Sequence, residues 1–327
     1  MTRVFSGIKP SGAVQLGNYL GALQNWVSMQ DESEAVYCVV DLHALTVPHD
    51  PDELKSSTLS LTQMLMAVGL DPDRCILFVQ SHVQEHAECA WLMECTAAFG
   101  ELRRMTQFKD KSTGNEFVSA GLFTYPALQA ADILLYDTNQ VPVGEDQRQH
   151  IELTRDIAIR FNSRFGDTFT VPEAIIPSSG ARVMDLQHPE KKMSKSEDSP
   201  QGTILILDPP DAIEKKIKRA VTDSDDEVFF DVDKKPGVSN LLSILGAATG
   251  KTPQEASDGI ERYGDLKNAT AEAVVELLKP IQEKYYDLAD DPGETNRLIA
   301  KGAEKAREIA STTLSRARNN IGLFSHN

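Results

Sequence analysis

Lysine and serine side chains concentrate in residues 191–196, Lys-Lys-Met-Ser-Lys-Ser, called here the lysine segment. The segment lies between Pro189 and Pro200 and lacks the periodicity of a helix or a strand, which is typical of a loop. Ammonium groups this close repel one another unless an anion bridges them, so the pattern indicates a clamp for a polyphosphate. The alternative interpretation is a solvated basic surface loop.

A second candidate site for anions lies near the start of the chain, where residues 7–12, Gly-Ile-Lys-Pro-Ser-Gly, separate a predicted strand from a predicted helix. Backbone N–H groups at such a turn favour anions, and glycines let a nucleotide approach the backbone closely. Gly12 and Gly17 have the spacing of a P-loop, but Asn18-Tyr19 stands where a Walker A motif has Lys-Ser/Thr. By itself, such a turn is usually only a tight connection.

The first half of the chain alternates uniformly apolar runs with amphipathic segments, which predicts a doubly wound parallel sheet of the Rossmann-like α/β class. Ligands bind such sheets outside the carboxyl ends of the strands, where the strand order switches. Strands are predicted at residues 4–7, 35–40, 75–79 and 141–144, and the last of these is expected to be the final strand of the sheet. Helices are predicted at residues 16–27, 50–68, 85–99, 127–135 and 147–165. A loop is predicted at residues 103–121.

The second half lacks strand signals and repeats one helix-start pattern, in which a capping residue precedes a proline. The pattern begins at Asp208, Thr252 and Asp291, and an apolar helical stripe covers residues 274–285. We predict a catalytic domain at residues 1–185 and a helical, anticodon-binding domain at residues 186–327. A final helix near residues 294–318 is a candidate to pack back onto the catalytic domain.

The formal net charge of −16 argues against indiscriminate binding of nucleic acid. A local basic face remains compatible with a tRNA partner, and residues 215–219, which hold three lysines and one arginine, are candidates for it. The alternative is that these are solvated helix positions.

The hydropathy of the chain and the arrangement of its cysteines predict a cytoplasmic protein that does not enter a membrane. No apolar run is long enough to span a bilayer, and the first residues lack the apolar core of a signal peptide. The four cysteines form no C-x-x-C pair, and Cys38 and Cys75 lie in apolar runs, as expected for reduced core residues.

Two signatures and their order carry a family resemblance. Pro10-Ser11-Gly12 with Leu16-Gly17-Asn18 resembles the first signature of class I aminoacyl-tRNA synthetases, and residues 192–196 match the second, KMSKS. Residues 40–43, 105–109, 130–134 and 144–147 narrow the resemblance to the bacterial tryptophanyl-tRNA synthetases, from residue 5 to residue 302.

The resemblance implies activation of L-tryptophan by ATP, followed by transfer to tRNA(Trp), in a homodimer that holds no resident metal. It implies that Lys192, Lys195 and Lys111 are catalytic and neutralise pyrophosphate together with Mg²⁺. The implied ATP site comprises Lys9, Pro10, Ser11, Gly17, Asn18, Gly144, Glu145, Asp146, Val183, Lys192, Met193, Ser194, Lys195 and Ser196. The implied tryptophan site comprises Phe5, Val40, His43, Tyr125, Gln129, Asp132, Val141, Val143 and Gln147.

Asp132 carries the specificity argument, because it stands inside the apolar run of residues 130–135. Indole offers one N–H donor on an otherwise apolar ring, and a buried carboxylate would recognise that donor. The alternative is a helix-capping or buried structural acid. Lys9 and Gln129 stand where relatives commonly carry glutamine and methionine, and residues 15–18 are a loose version of the first signature. Gln129 therefore keeps a tyrosine-specific enzyme open as an alternative.

Two further enzyme classes are alternatives for this sequence. Residues 82–86, His-Val-Gln-Glu-His, match the H-x-x-E-H pattern of a zinc peptidase, which needs both histidines on one helix face. His82 follows a predicted strand and the helix begins near Glu85, so the two rings are not expected to converge. An adenylating enzyme that uses no tRNA is a further alternative, against which the helical second half argues.

Overall fold

The computed structural model describes residues 2–112, 118–175, 182–193 and 199–324, without the side chains of residues 110–112. Within these residues, five parallel strands form one sheet in the order β3-β2-β1-β4-β5. The strands are β1 (Arg3–Ile8), β2 (Glu34–Val39), β3 (Ile76–Val79), β4 (Gln140–Pro142) and β5 (Glu173–Ile175).

The strand order switches between β1 and β4. The chain runs outward from β1 through β2 to β3, and then crosses to the other side of β1 to add β4 and β5. The turns after β1 and β4 therefore flank the crevice in which a doubly wound sheet binds its ligands. The predicted parallel α/β sheet is confirmed.

One prediction about the sheet is wrong, because the strand near residue 141 is not the last. β5 pairs with β4 through the register Val141↔Ala174 and forms the edge of the sheet. It has only three residues, follows Pro172 and leaves Glu173 exposed, so no buried apolar run marks it in the sequence.

Helices pack on both faces of the sheet in the first half of the chain. A helical segment after β1 passes through a π-helical turn, Tyr19–Leu23, which is bounded by α1 and α2. The helices are α1 (Leu16–Asn18), α2 (Gln24–Glu32), α3 (Pro51–Ala67), α4 (Glu85–Thr96), α5 (Phe99–Arg104), α6 (Thr106–Ser112), α7 (Ala120–Leu134) and α8 (Arg148–Phe165).

Two helices in this half differ from the prediction. The expected loop at residues 103–121 contains α6, and α7 begins at Ala120 rather than after Pro126. The Ser119 side chain caps α7 by accepting a hydrogen bond from the Leu122 N–H at 3.1 Å, and Pro126 lies inside the helix. The prediction of a start after Pro126 is therefore wrong, because the Ser119 cap is the stronger signal.

The second half is helical throughout its described residues, apart from connecting segments. The predicted caps at Thr252 and Asp291 are confirmed, because their side chains accept hydrogen bonds from the N–H groups of Glu255 and Glu294. The helices are α9 (Pro210–Lys218), α10 (Pro236–Thr249), α11 (Pro253–Ser257), α12 (Tyr263–Asp290) and α13 (Pro292–Ile321).

Asp208 does not cap α9 as expected. Pro209 occupies the N-cap position, and the Asp208 carboxylate instead accepts hydrogen bonds from the Leu205 N–H at 2.9 Å and the Lys216 ammonium at 2.6 Å. A lysine two turns into the helix competes for the carboxylate, which a local cap pattern does not reveal.

The core has two parts, one on each face of the sheet. Successive residues of β1 point to opposite faces, so Val4 joins one part and Phe5 the other. The first part includes α10 and α12, whereas the second includes the small residues Ala303, Ala306 and Ala310 of α13.

The helix α13 lies against β3 and α4. The approach is so close that a Cβ atom at Gly302 would overlap the backbone carbonyl of Leu77 in β3. The division of the chain at residue 185 stays a prediction. Among the described residues, no helix combines the length and apolar character needed to cross a membrane.

Candidate active site

A buried carboxylate lies beside the carboxyl ends of β2 and β3. Asp132 is on the inward face of α7, with 1% of its surface exposed. Its Oδ2 atom lies 2.8 Å from Nε2 of His43, in the turn after β2. Its Oδ1 atom lies 2.6 Å from Nε2 of Gln80, which directly follows β3, and 2.6 Å from Nδ1 of His86 in α4.

These contacts keep the Asp132 carboxylate charged. Burial opposes ionisation, but hydrogen bonds and electrostatic attraction from His43 and His86 outweigh it, so the pKa of Asp132 lies well below its usual range. An ionised carboxylate has about four acceptor positions. Its described partners place two donors on Oδ1 and one on Oδ2. Oδ2 therefore retains capacity for a donor from a ligand.

A second layer of buried groups supports this carboxylate. Nε2 of His86 lies 2.7 Å from the hydroxyl of Tyr136, whose pKa burial raises well above its usual range. The Tyr136 ring stacks on Phe5 of β1, with centroids 5.6 Å apart. Phe5 and Asp132, predicted from the family resemblance as tryptophan-binding, are thus joined through His86 and Tyr136.

Gln80 and Tyr136 are not among the residues predicted from the sequence, and His86 appears there only in the zinc-peptidase alternative, whose two histidine rings are not expected to converge. Both ring nitrogens of His86 have hydrogen-bond partners, and the ring is fully buried, so it cannot serve as the predicted alternative zinc ligand. His82 lies in the turn before α4, and the described residues contain no group of three or more His, Cys, Asp or Glu that could hold a metal ion. Gln80 had one available signal, since it is a polar residue directly after a buried strand.

Tyr125 lies on the other side of His43. Their ring centroids are 6.2 Å apart in an edge-on arrangement, and the Tyr125 hydroxyl lies 2.7 Å from Nε2 of His150. Burial raises the pKa of Tyr125 to about 12, so the phenol stays protonated at neutral pH. Four predicted tryptophan-binding residues, Phe5, His43, Tyr125 and Asp132, therefore form one connected cluster.

The remaining predicted pocket residues lie at strand ends or on the same helix. Val40 follows β2 and is buried, and Val141 is buried within β4. Val143 and Gln129 are half-buried, and the Nε2 atom of Gln147 donates to Oδ2 of Asp146 at 3.1 Å. Their contact with a substrate stays a prediction.

The predicted nucleotide residues gather at the switch in strand order. Gly17 is buried, and a Cβ atom there would come within 3.3 Å of Cβ of Val183 and 2.8 Å of the Gln15 Oε1 atom. The Met193 N–H donates to the Val183 carbonyl at 3.0 Å. The first signature and the start of the second are thus adjacent, although Gly17 and Lys191, which opens the lysine segment, are 174 positions apart in the sequence.

The other predicted ATP residues lie on the turns that flank this crevice. Lys9, Pro10 and Ser11 belong to the connection after β1, and Asn18 is the last residue of α1. Gly144, Glu145 and Asp146 are exposed on the turn after β4. Lys192 is exposed at the start of the lysine segment, while Met193 is buried.

Part of the predicted phosphate clamp lies outside the residues that the structure describes. Ser194, Lys195 and Ser196 are not among the described residues, and Lys111 belongs to α6 without a described side chain. Of the candidate basic face, Lys216 binds the Asp208 carboxylate and the Thr203 carbonyl, and Lys218 pairs with Glu214 at 2.9 Å. These two ammonium groups are neutralised within the chain.

The family model for tRNA synthetases class I (W and Y) matches residues 1–279. The chain belongs to this family. It is 54% identical over 326 residues to the tryptophan–tRNA ligase of Caldanaerobacter subterraneus subsp. tengcongensis, which covers 99% of both chains. The resemblance inferred from the two signatures is confirmed.

Solved structures of this synthetase family share the whole fold. Tryptophanyl-tRNA synthetase from Mycoplasma pneumoniae is 39% identical, with a TM-score of 0.91 and coverage of 99% of each chain. The enzyme from Campylobacter jejuni, complexed with ADP and tryptophan, is 35% identical, with a TM-score of 0.83 and coverage of 98% of this chain and 100% of that one. This chain is an aminoacyl-tRNA synthetase, a ligase whose reaction uses ATP.

Proposed function

We propose that this synthetase is a tryptophan–tRNA ligase, which forms tryptophanyl-adenylate and pyrophosphate from L-tryptophan and ATP and then charges tRNA(Trp). The observation that carries the proposal is the charged, buried Asp132, which lies in a cluster with Phe5, His43 and Tyr125. The full-length similarity to tryptophan–tRNA ligases supports it independently.

The chemistry of the amino acid fits this cluster. Indole combines an extended apolar ring with a single N–H donor, and Oδ2 of Asp132 has the acceptor capacity for that donor. Phenylalanine has no donor to offer, so binding it would leave the carboxylate without that partner. A site built on this hydrogen bond rejects such an analogue by roughly 10⁴-fold.

The activation step needs positioning and charge neutralisation more than covalent help from the protein. The tryptophan carboxylate attacks the α-phosphorus of ATP, a new P–O bond forms, and the bond to the pyrophosphate oxygen breaks. We assign the turns at Gly17 and Gly144 to nucleotide binding, and Lys192, Lys195 and Lys111 to the departing pyrophosphate. Mg²⁺ bound to the phosphates would neutralise part of their charge.

We also propose that two copies of the chain form a homodimer through an apolar surface on α4 and α5. Trp91 is 64% exposed and Phe99 is 68% exposed, which is unusual for large apolar side chains. Phe99 packs on Phe123 of α7, with ring centroids 5.2 Å apart. Leu45, which is also exposed, adds to the apolar surface of this half of the chain.

The four free cysteines, three of them buried, support a reducing compartment. We therefore propose a cytoplasmic location, which also suits a partner such as tRNA.

The proposed function is tested by amino-acid-dependent exchange of pyrophosphate into ATP, measured with each of the twenty amino acids in the absence of tRNA. Exchange with tryptophan alone is the expected result. Exchange with tyrosine would show that the enzyme is tyrosine-specific, and Gln129 would be the residue to examine for that specificity. No exchange with any amino acid would leave the fold standing and remove the proposed function.

A further inference from the structure

Two helices beside the tryptophan cluster carry an exposed group of cations, called here the arginine surface. It consists of Arg103 and Arg104 at the end of α5 and Lys109 in α6, and all three residues are exposed. Residues 98–109 hold these three cations and one acid, a formal charge of +2, in a chain whose net charge is −16. A local basic surface on an acidic protein indicates an anionic partner.

The acid in this stretch does not neutralise the two arginines. Both oxygens of Glu101 are bound by Arg160 of α8, at 3.0 Å from Nη1 to Oε2 and at 2.5 Å from Nη2 to Oε1. Within the described part of the chain, neither Arg103 nor Arg104 has a hydrogen-bond or ion-pair partner. The surface arginine Arg297, by contrast, binds a carboxylate one helical turn away. The two guanidinium groups of α5 are therefore available to a ligand.

The arginine surface lies next to the residues assigned to tryptophan. The Phe123 ring of α7 contacts Phe99 of α5 and Phe108 of α6, with ring centroids 5.2 and 5.1 Å away. Two residues further along α7, the Tyr125 hydroxyl donates to Oε1 of Gln107 in α6 at 3.3 Å. The helices α5 and α6 therefore form one packed unit with the start of α7, and the arginine surface is an outer side of that unit.

The helix α8 holds this unit from a second direction. The N–H and the hydroxyl of Thr106 lie 3.1 and 3.2 Å from Oε1 of Gln149, and Nη1 of Arg160 also donates to the Thr96 carbonyl at 3.0 Å. The chain is thus fixed on both sides of the two arginines, at Glu101 and at Thr106. A surface held in place in advance loses less conformational entropy when a partner binds.

We propose that the arginine surface binds the phosphate backbone of tRNA near its 3′ end. This inference rests on the proposed function, in which the 3′-terminal ribose must reach tryptophanyl-adenylate beside the Asp132 cluster. Guanidinium groups bind phosphates through paired hydrogen bonds, and such contacts position a nucleic acid without reading its sequence. Phosphates a few nucleotides from the reacting ribose must pass close to this cluster, which the arginine surface borders at Gln107.

The other candidate face for tRNA, residues 215–219 at the end of α9, is less suited to a polyanion. Lys216 and Lys218 there bind carboxylates of the same chain, so their charges are neutralised. Lys215 is exposed and lies outside the arginine surface. It therefore provides a matched control, a surface cation whose loss changes the net charge without changing the proposed contact.

The first experiment compares two reactions of each variant, pyrophosphate exchange without tRNA and charging of tRNA(Trp). We expect the double variant Arg103→Gln/Arg104→Gln to keep the exchange rate within about twofold and to raise KM for tRNA about 10-fold or more, because hydrogen bonds to charged phosphates are lost. Lys215→Gln should leave both reactions unchanged. Unchanged charging in the double variant, or equal losses of exchange and charging, would overturn the proposal.

Salt dependence tests whether the contacts are to phosphates. Each phosphate contact contributes about 0.7 to 0.9 to the slope of log Kd for tRNA against log salt concentration. The double variant should therefore lower this slope by roughly 1 to 2, measured between about 50 and 200 mM salt. An unchanged slope would show that the two arginines do not contact phosphates and would overturn the proposal.

Sedimentation separates a role in tRNA binding from a role in the dimer. Arg103 lies four positions after Phe99 and on the same side of α5, so the arginine surface adjoins the proposed dimer surface. We expect the double variant to sediment like the wild type. A shift to monomer in the variant alone would assign the arginines to the contact between copies and would overturn the proposal. Absence of exchange and charging in the wild type would instead reject the proposed function itself.

Discussion

The Nε2 atom of His43 lies 2.8 Å from Oδ2 of Asp132, whereas the donors from Gln80 and His86 both bind Oδ1. The two oxygens of this carboxylate therefore have different surroundings. Oδ1 is held by two buried side chains, and Oδ2 by one histidine that is itself partly exposed. The arrangement fixes the orientation of the carboxylate and keeps acceptor capacity on one oxygen.

Replacing this carboxylate should weaken the selection of tryptophan. We expect Asp132→Asn to lower kcat/KM for tryptophan roughly 10- to 100-fold, since a hydrogen bond to a charged group is lost. Discrimination against phenylalanine and tyrosine should fall at the same time, as measured by competition in pyrophosphate exchange. Asp41→Asn is the control, because Asp41 binds the Ser81 N–H at the same edge of the sheet. Unchanged selectivity in Asp132→Asn would contradict the role of Asp132.

The lysines of the second signature should affect chemistry rather than amino-acid binding. We expect Lys192→Ala and Lys195→Ala each to lower the adenylation rate about 10²- to 10³-fold, because charge on the pyrophosphate is no longer neutralised. Tryptophan affinity should change little, as measured by pre-steady-state kinetics. Lys218→Ala is the control, because Lys218 pairs with Glu214 on the surface of α9. Parallel losses of rate and affinity would speak against a phosphate clamp.

The lowered pKa of Asp132 makes stability depend on pH in a defined direction. A carboxylate with a depressed pKa in the folded state stabilises the fold above its unfolded pKa of about 4, and this contribution is lost as the pH falls toward the folded value. Urea unfolding should therefore show wild type more stable than Asp132→Asn at pH 7, with the difference shrinking below about pH 4. A difference that stays constant down to about pH 3 would refute this linkage.

The proposed dimer surface predicts a change in mass. We expect Trp91→Glu and Phe99→Glu each to shift the protein from dimer to monomer in analytical ultracentrifugation, since a charge would be buried in an apolar contact. Tyr286→Glu is the control, because Tyr286 is 54% exposed on α12 in the helical half. A wild-type protein that sediments as a monomer would rule out this interface.

Gly302 predicts a packing limit between α13 and β3. We expect Gly302→Ala to destabilise the protein by about 1–3 kcal/mol, because the added methyl group would overlap the Leu77 carbonyl. Gly264→Ala in α12 is the control, since a Cβ atom there meets nothing within 4 Å. It should be neutral or stabilising by up to about 1 kcal/mol. Equal melting temperatures of the two variants would show that the helix moves to accommodate the methyl group.

The elements that the sequence predicts well share strong local signals. β2 and β3 are continuous apolar runs, and the helix starts at Asp50 and Thr252 combine a cap with a proline at the next position. β5 has no such signal, because its pairing with β4 depends on where the chain returns after α8. α10 was not predicted, although Pro236 at its start and Gly250 at its end are ordinary boundary signals.

The residues of the candidate site also fall into those that the sequence predicts and those that it does not. The chemistry of Asp132 and Gly17 could be proposed from residue type and family resemblance, and the structure places Asp132 beside the carboxyl ends of β2 and β3 and Gly17 in the helix that follows β1. The partners Gln80, His86 and Tyr136 could not be assigned, because they come from separate segments that only the fold brings together. Gln15 has the same difficulty, since its partner Met193 is 178 positions away.

The packing of α13 on β3 affects how the protein is made. Arg307 of α13 binds the carbonyl of His82, just beyond β3, although 225 positions separate them. A ribosome adds about 5–20 residues each second, so β3 would wait roughly 10–45 seconds for this helix. During that time the parts of β3 and α4 that α13 covers in the folded protein are exposed. Synthesis is therefore the stage at which this chain would most need a chaperone, and codons between β3 and α13 would set how long that need lasts.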